Sequence, residues 1–233
     1  MRKRIIIILL LSMCLLTTTV NANIEDSENI NLDEMLQTAS AQAIPQISSR
    51  IALVYDRASG KVLYEKNGYK QTKMASTTKI MTTIIVLENT NLSDTVIVSK
   101  KAAGTGGSRL GLKTNDKITV NDLLMGLMLE SGNDAAVALA EYVGGSIQGF
   151  ADLMNRKATE LGLKNTNFVV PHGLDNEDHY TTAYDLSVIA REAMKNDIFR
   201  QIVSTASYTL PSSNKYSRID RTLITTNDLI KKQ

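Results

Sequence analysis

Met74-Ala75-Ser76-Thr77-Thr78-Lys79-Ile80-Met81 opens a long apolar run in the first half of the 233-residue chain. Apolar residues recur at positions 80, 81, 84, 85 and 87, which fits a helix better than the strict alternation of a strand. The many β-branched residues of this run favour a strand, but the spacing outweighs them and we predict a buried helix. Ser76 and Lys79 would then lie on one face, one turn apart.

A serine and a lysine on the same helix face can act as a nucleophile and its base. A serine hydroxyl reacts well only when a neighbour accepts its proton. Lysine accepts a proton only as the free amine, and burial in apolar surroundings lowers its pKa and so favours that form. The residues after Lys79 could supply such surroundings. A lone S-x-x-K pair is more often a helix cap and a surface charge, so the motif alone does not establish a site.

A second polar motif separates two apolar helical stretches. Ser131-Gly132-Asn133 follows a helix predicted from the capping box Thr119-Val120-Asn121-Asp122, and it precedes a small-residue helix predicted at 135–143. The plain interpretation is a helix–helix turn, because Gly and Asn tolerate positive φ. The alternative is a polar corner where the walls of a cleft meet.

The remaining pattern predicts a mixed α/β (α+β) fold. Residues 51–65 are typical of a β-hairpin with its turn at 56–60. Short strands are predicted at 95–99 and 208–210. Helices are predicted near 147–161 and from a second capping box at Thr182-Ala183-Tyr184-Asp185. Because a lone hairpin is marginally stable, we expect further strands of its sheet after residue 207. The helical part would span about 76–203, with a cleft between it and the sheet.

The start of the chain is typical of an exported protein. A basic start, an apolar stretch at 5–16 and the ending Val20-Asn21-Ala22 predict a signal peptide over residues 1–22, with a retained anchor as the alternative. Residues 23–48 predict a flexible leader, and the folded domain is expected at 49–233. Removal of 1–22 takes away Cys14, the one cysteine, which excludes a thiolate nucleophile or metal site. The net charge of +2 gives no support to nucleic-acid binding.

Taken together, the motifs resemble those of the low-molecular-weight penicillin-binding proteins, the serine-type D-Ala-D-Ala carboxypeptidases, in which S-x-x-K is followed by S-x-N. The likeness covers about residues 48–230. Besides the stretch 74–79, it rests on Gly107-Ser108-Arg109 with Gly111-Leu112, Leu129-Glu130-Ser131-Gly132-Asn133-Asp134-Ala135-Ala136, Phe150 through Met154-Asn155, Pro171-His172-Gly173-Leu174 and Tyr180-Thr181-Thr182-Ala183-Tyr184-Asp185-Leu186. The resemblance implies a DD-peptidase/β-lactamase-like fold, an antiparallel sheet with a helical subdomain.

The resemblance also implies a role for each motif residue. Ser76 would be the acylated nucleophile, Lys79 would activate it, Ser131 would relay protons and Asn133 would bind the substrate amide. The substrates would be peptidoglycan stem peptides ending in D-Ala-D-Ala, and β-lactams would acylate Ser76 as mimics. No metal, cofactor or nucleic acid is implied. The protein would work outside the cytoplasm, in the cell wall or on the outer face of the membrane, with membrane association only through a region not present.

One part of the family pattern is missing from this sequence. The chain contains no Lys-Thr-Gly, and the nearest words, Lys113-Thr114-Asn115 and Lys164-Asn165-Thr166, lie in the wrong segments. The family's motif follows a stretch like Thr226-Asn227-Asp228-Leu229-Ile230, so the sequence is expected to stop before the last strands. One lost oxyanion donor costs about 3–4 kcal/mol of barrier. We therefore predict that these 233 residues alone are inactive or nearly so, and that a full-length parent is a carboxypeptidase.

Four other interpretations of the same residues remain open at this point. His172 or His179 with Asp175, Asp178 or Asp185 would suggest a Ser–His–Asp triad, although no G-x-S-x-G elbow surrounds any serine. A zinc site at His172, Asp175 and His179 lacks any known ligand spacing. A serine β-lactamase would need a deacylating base, for which Glu130 is the neighbouring candidate. A non-catalytic wall-binding protein on the same scaffold is the fourth possibility.

Overall fold

A computed structural model describes residues 46–211 and 221–231 of the chain. The predicted signal peptide at 1–22 and nearly all of the predicted leader at 23–48 lie outside these residues. Apart from residues 46–48, everything described below belongs to one unit, Ser49–Gln233. Within the described ranges, no helix has the length and apolar character needed to cross a membrane.

Helices hold more of the described residues than strands do. In chain order they are α1 (Thr78–Asn89), α2 (Lys100–Ala103), α3 (Val120–Leu129), α4 (Asn133–Gly144), α5 (Ile147–Glu160), α6 (Ala183–Ala193), α7 (Asp197–Ser204) and α8 (Asp228–Lys231). The strands are β1 (Ala52–Tyr55), β2 (Val62–Lys66), β3 (Thr95–Ile97), β4 (Lys117–Thr119), β5 (Ser207–Leu210) and β6 (Arg221–Ile224).

The predicted hairpin is confirmed, but its place in a larger sheet differs from the expectation. Strands β1 and β2 pair antiparallel, and the turn between them ends at Gly60 with φ +75°. Among the described residues, β5 pairs with β6 and not with the hairpin. The expectation that the segment after 207 extends the hairpin sheet is therefore wrong for this part of the chain. Helix α6 covers the hairpin instead, with the Tyr184 ring edge-on to Tyr55 and Arg191 over the Tyr55 ring.

Side-chain caps begin the helices where the sequence predicted them. The Thr119 hydroxyl accepts a hydrogen bond from the backbone N–H of Asp122, and the Thr182 hydroxyl accepts one from Asp185. Each bond satisfies an N–H group that has no partner inside the helix. The N-cap bond of each predicted capping box is thus confirmed, and it fixes the first residues of α3 and α6.

Helix α1 is buried and packs against α3, α4, α5 and α6. Met81 and Val86 are fully buried, and Ile85 is 2% exposed, so each contributes about 1.5–3 kcal/mol of burial free energy. The predicted buried helix is confirmed, although it begins at Thr78. This burial offsets the weak helix propensity of the β-branched residues, and it carries Lys79 into the interior.

Candidate active site

Ser76 lies just before α1, in a 3₁₀ turn over Ala75–Thr77. Its side chain is exposed. The preceding residue, Ala75, has φ +45°, a left-handed conformation that costs an L-residue about 1–2 kcal/mol. The backbone therefore makes a strained turn immediately before the predicted nucleophile. Strain of this kind persists only where the surrounding structure holds it in place.

Lys79 is 2% exposed, and its amine points back to this turn. The Nζ atom lies 3.2 Å from the Ser76 hydroxyl oxygen, 2.8 Å from Asn133 Oδ1 and 2.9 Å from the carbonyl oxygen of His172. Burial lowers the pKa of Lys79 to about 8. All three partners are uncharged oxygens, so none supplies the negative charge that would hold an ammonium ion.

An ammonium ion would donate to all three of these oxygens, and the free amine can satisfy the same three partners. A neutral amine has two N–H groups and one lone pair. Donating its two hydrogens to Asn133 Oδ1 and the His172 carbonyl leaves the lone pair for the Ser76 hydroxyl at 3.2 Å. The environment of Lys79 thus favours a base aimed at Ser76, which is the arrangement a serine nucleophile needs.

The Ser131-Gly132-Asn133 motif turns the chain between α3 and α4 and also faces Ser76. Ser131 has φ +57°, and its hydroxyl donates to the Ser76 oxygen at 3.0 Å. Asn133 is buried, and its Nδ2 donates to the carbonyl of Gly106 at 2.8 Å. The motif is therefore both the helix–helix turn and the polar corner weighed above. All four residues predicted for the site, Ser76, Lys79, Ser131 and Asn133, are brought together.

Asp134 supports this corner and was missed by the sequence reasoning. It is fully buried. Its two carboxylate oxygens accept hydrogen bonds of 2.8–3.0 Å from four backbone N–H groups, those of Leu110, Gly111, Leu112 and Ala135. Asp134 thereby ties the loop that carries Gly106 to the first turn of α4. Its position directly after Asn133 was the available signal, but the loop partners lie 22–24 residues away in sequence.

The loop after residue 170 closes the other side of the site. The Thr82 hydroxyl donates to the carbonyl of Pro171 at 2.6 Å, and Lys79 donates to that of His172. Gly173 has φ +86°, and a Cβ atom there would lie 1.8 Å from the carbonyl oxygen of Ala75. Only glycine fits this approach. Sequence reasoning noted Gly173 within its motif but gave no steric reason for it.

Neither histidine forms the catalytic triad that the sequence left open. His179 Nε2 lies 2.8 Å from the Thr78 hydroxyl, and its Nδ1 accepts from the N–H of Val169 at 3.2 Å. His172 Nδ1 accepts from the N–H of Leu174 at 3.1 Å. Burial lowers the pKa of both imidazoles to about 4. The partners of the Ser76 hydroxyl in the described structure are instead Lys79 and Ser131.

The acidic residues of the alternative interpretations are engaged elsewhere. Asp175 forms an exposed ion pair with Lys73 at 2.9 Å. Glu130 is bound by the Arg221 guanidinium, which also donates to the carbonyl of Leu110. Within the described ranges, no cluster of three or more His, Cys, Asp or Glu residues is arranged to hold a metal ion. The geometry therefore supports neither the zinc site nor Glu130 as a base at Ser76.

Known sequences match most of this chain. The family model for D-alanyl-D-alanine carboxypeptidases matches residues 36–233. A D-alanyl-D-alanine carboxypeptidase of Bacillus subtilis is 40% identical over 189 residues, which cover 78% of this chain and 48% of that protein. One from Escherichia coli is 41% identical over 165 residues, covering 66% of this chain and 41% of that protein. The chain thus spans about half the length, or less, of these two relatives.

Solved structures match the described fold. A variant of a Streptomyces DD-transpeptidase has a TM-score of 0.76 at 37% identity, covering 81% of this chain and 78% of that one. A D-alanyl-D-alanine carboxypeptidase from Mycobacterium tuberculosis has a TM-score of 0.75 at 31% identity, covering 82% and 72%.

Proposed function

This chain belongs to the family of D-alanyl-D-alanine carboxypeptidases and has the DD-peptidase fold, and on that basis we propose that it removes the terminal D-alanine from peptidoglycan stem peptides through an acyl-enzyme on Ser76. The observation that carries the proposal is the set of three oxygens around the buried Lys79 amine. A free amine with its lone pair at a serine hydroxyl supports nucleophilic acyl transfer.

Acylation follows from these contacts in a balanced sequence of proton transfers. Lys79 accepts the Ser76 proton as the serine oxygen attacks the carbonyl carbon of the penultimate D-alanine. The C–N bond then breaks, and the leaving amine of the terminal D-alanine takes up a proton. Ser131, whose hydroxyl donates to Ser76 Oγ at 3.0 Å, would relay that proton. Asn133, fixed between Lys79 and Gly106, would hold the substrate amide.

Deacylation returns the site to its starting state. Once the leaving amine has taken its proton, Lys79 is again a free amine and can activate a water molecule against the ester. Hydrolysis then frees Ser76 and the shortened peptide. An amine acceptor in place of water would give transpeptidation, and the names of the similar structures include both activities. The proposed reaction places the protein outside the cytoplasm, where peptidoglycan lies, and β-lactams would be its covalent inhibitors.

Replacing Ser76 with alanine is expected to abolish covalent labelling by a fluorescent penicillin and release of D-alanine from an acyl-lysyl-D-alanyl-D-alanine peptide. No other nucleophile of the described structure contacts Lys79 Nζ, so no residual adduct should form. The measurement is gel fluorescence with mass spectrometry of the adduct, on protein expressed from its complete coding sequence. Ser204→Ala, an exposed serine on α7, is the matched control.

A labelled Ser76→Ala protein, or an adduct mapped to a residue other than Ser76, would contradict the proposal. An adduct that hydrolyses rapidly would favour a β-lactamase instead. Peptidoglycan binding without either D-alanine release or an adduct would favour a non-catalytic wall-binding protein. The prediction that the 233 residues alone are nearly inactive is tested by running the same assay on them.

The rate of acylation is expected to rise with pH and to level off above about pH 8. Burial lowers the pKa of Lys79 to about 8, and only the free amine accepts the serine proton. At pH 7 about a tenth of the molecules carry that form, so the rate should increase nearly tenfold between pH 6 and pH 7. Stopped-flow acylation by a penicillin, which has no titrating group in this range, measures the profile. A flat profile from pH 6 to 9 would contradict the assignment of Lys79 as the base.

A further inference from the structure

The strained turn at Ala75 is held by a chain of hydrogen bonds that the proposed reaction does not use. The Thr78 hydroxyl lies 2.8 Å from the carbonyl oxygen of Ala75 and 2.8 Å from His179 Nε2. On its other side, His179 Nδ1 lies 3.2 Å from the backbone nitrogen of Val169. These contacts link the loop after residue 168 to the peptide group that precedes Ser76.

The direction of each bond in this chain follows from one fixed donor. The backbone nitrogen of Val169 can only donate, so His179 Nδ1 must accept. A neutral imidazole with an unprotonated Nδ1 carries its hydrogen on Nε2, which then donates to the Thr78 oxygen. The Thr78 hydroxyl hydrogen is left to donate to the Ala75 carbonyl. Burial lowers the pKa of His179 to about 4, so the ring is neutral near pH 7.

The chain is shielded from solvent and sterically constrained. Thr78 is 1% exposed and His179 is 3% exposed, so water does not compete for these bonds. The His179 ring packs edge-on to Phe168, with a centroid distance of 5.8 Å. Gly173 approaches the same Ala75 carbonyl so closely that a Cβ atom there would lie 1.8 Å from it. The carbonyl is thus held by a hydrogen bond and by a backbone contact.

We propose that His179 and Thr78 are positioning residues: they lock the carbonyl of Ala75, keep that residue in its left-handed conformation and so present the Ser76 hydroxyl to Lys79. Neither contacts the reacting atoms, so neither is a catalytic residue. The effect on rate rests on the proposed function. A misplacement of about 1 Å in a reacting group can cost on the order of a hundredfold in rate, which sets the scale of what the chain can contribute.

Two substitutions at Thr78 separate positioning from mere packing. Thr78→Val keeps the shape of the side chain but removes the hydroxyl, and it is expected to slow acylation by a penicillin about 10- to 100-fold. Thr78→Ser keeps the hydroxyl and is expected to stay within about threefold of the parent. Thr90→Val is the matched control. Thr90 follows the C-terminal end of α1, and its hydroxyl also donates to a backbone carbonyl, that of Val86.

A double substitution tests whether His179 acts through Thr78. His179→Ala alone should slow acylation as Thr78→Val does, but should add little in a Thr78→Val background, because residues in one hydrogen-bond network are coupled. Rates are compared at saturating penicillin, on proteins whose circular dichroism matches the parent. If the parent is labelled but Thr78→Val is acylated at the parent's rate, the positioning role is wrong. If the protein without substitutions, expressed from its complete coding sequence, is itself not labelled, the proposed function is wrong instead.

The tautomer of His179 gives a second measurement that needs no activity. Nitrogen-15 NMR of the imidazole should show a neutral ring protonated at Nε2, and the Nε2–H signal should shift in Thr78→Val but not in Thr90→Val. A ring protonated at Nδ1 could not accept a hydrogen bond from the Val169 N–H. The hydrogen bonds would then not run in the proposed direction, and the proposal would be wrong.

Discussion

Replacing Lys79 with methionine is expected to slow acylation of Ser76 about a thousandfold, the scale of a lost general base. Methionine has a similar length and no proton-accepting group, so the packing around α1 changes little while the base is removed. Of its two partners in the described part of the chain, the Ser76 hydroxyl would keep Ser131. Stopped-flow acylation by a fluorescent penicillin measures the change, and Lys79→Arg should be no better because a guanidinium stays protonated.

Lys70→Met is the control for this experiment. Lys70 is exposed on the connection between β2 and the Ser76 turn, so its loss removes one positive charge near the same segment without touching the amine site. Its acylation rate should match that of the parent. If Lys79→Met is acylated within tenfold of the parent rate, Lys79 is not the base.

Replacing Asp134 with asparagine is expected to lower the free energy of unfolding by about 3 kcal/mol. The carboxylate accepts four backbone N–H bonds in a fully buried site. Asparagine has the same shape, but its amide nitrogen would bring hydrogens against N–H donors and leave them unpaired. Three of these donors lie in the loop that carries Gly106, and the Gly106 carbonyl accepts from Asn133. Penicillin acylation should therefore fall as well.

Urea unfolding followed by circular dichroism measures the loss of stability. The matched control is Asp152→Asn, an exposed aspartate on α5, which should change the unfolding free energy by about 0.5 kcal/mol or less. Equal stabilities for the two variants would show that the buried carboxylate does not hold the loop.

Local patterns carried the sequence predictions that are confirmed. The family resemblance and the fold class drawn from it are confirmed by the comparisons. The caps at Thr119 and Thr182 are confirmed because a capping box depends on neighbours three residues apart. The buried α1 was predicted because the spacing of its apolar residues outweighs their β-branching. The proximity of Ser76 and Lys79 follows from one turn of backbone, so it too was within reach of the sequence.

Contacts between distant segments could not be predicted. The His172 carbonyl meets Lys79 across 93 residues, and His179 meets Thr78 across 101. A sequence motif identifies such residues but does not show which of their atoms makes the contact. In His172 the contacting atom is the backbone carbonyl oxygen, which accepts from Lys79. In the described residues, β5 pairs with β6 and not with the hairpin, and α6 packs on the hairpin. Both arrangements depend on packing between distant elements, which local propensity does not encode.

The most direct test of this account is the titration of the Lys79 amine itself. Carbon-13 NMR of the lysine ε-carbons, with the Lys79 signal assigned by its absence in Lys79→Met, measures that pKa without any substrate. Lys79 is expected to titrate with a midpoint at about pH 8, well below the ordinary lysine value of about 10.4. A Lys79 signal that titrates near 10.4 would contradict the assignment of this amine as the base for Ser76.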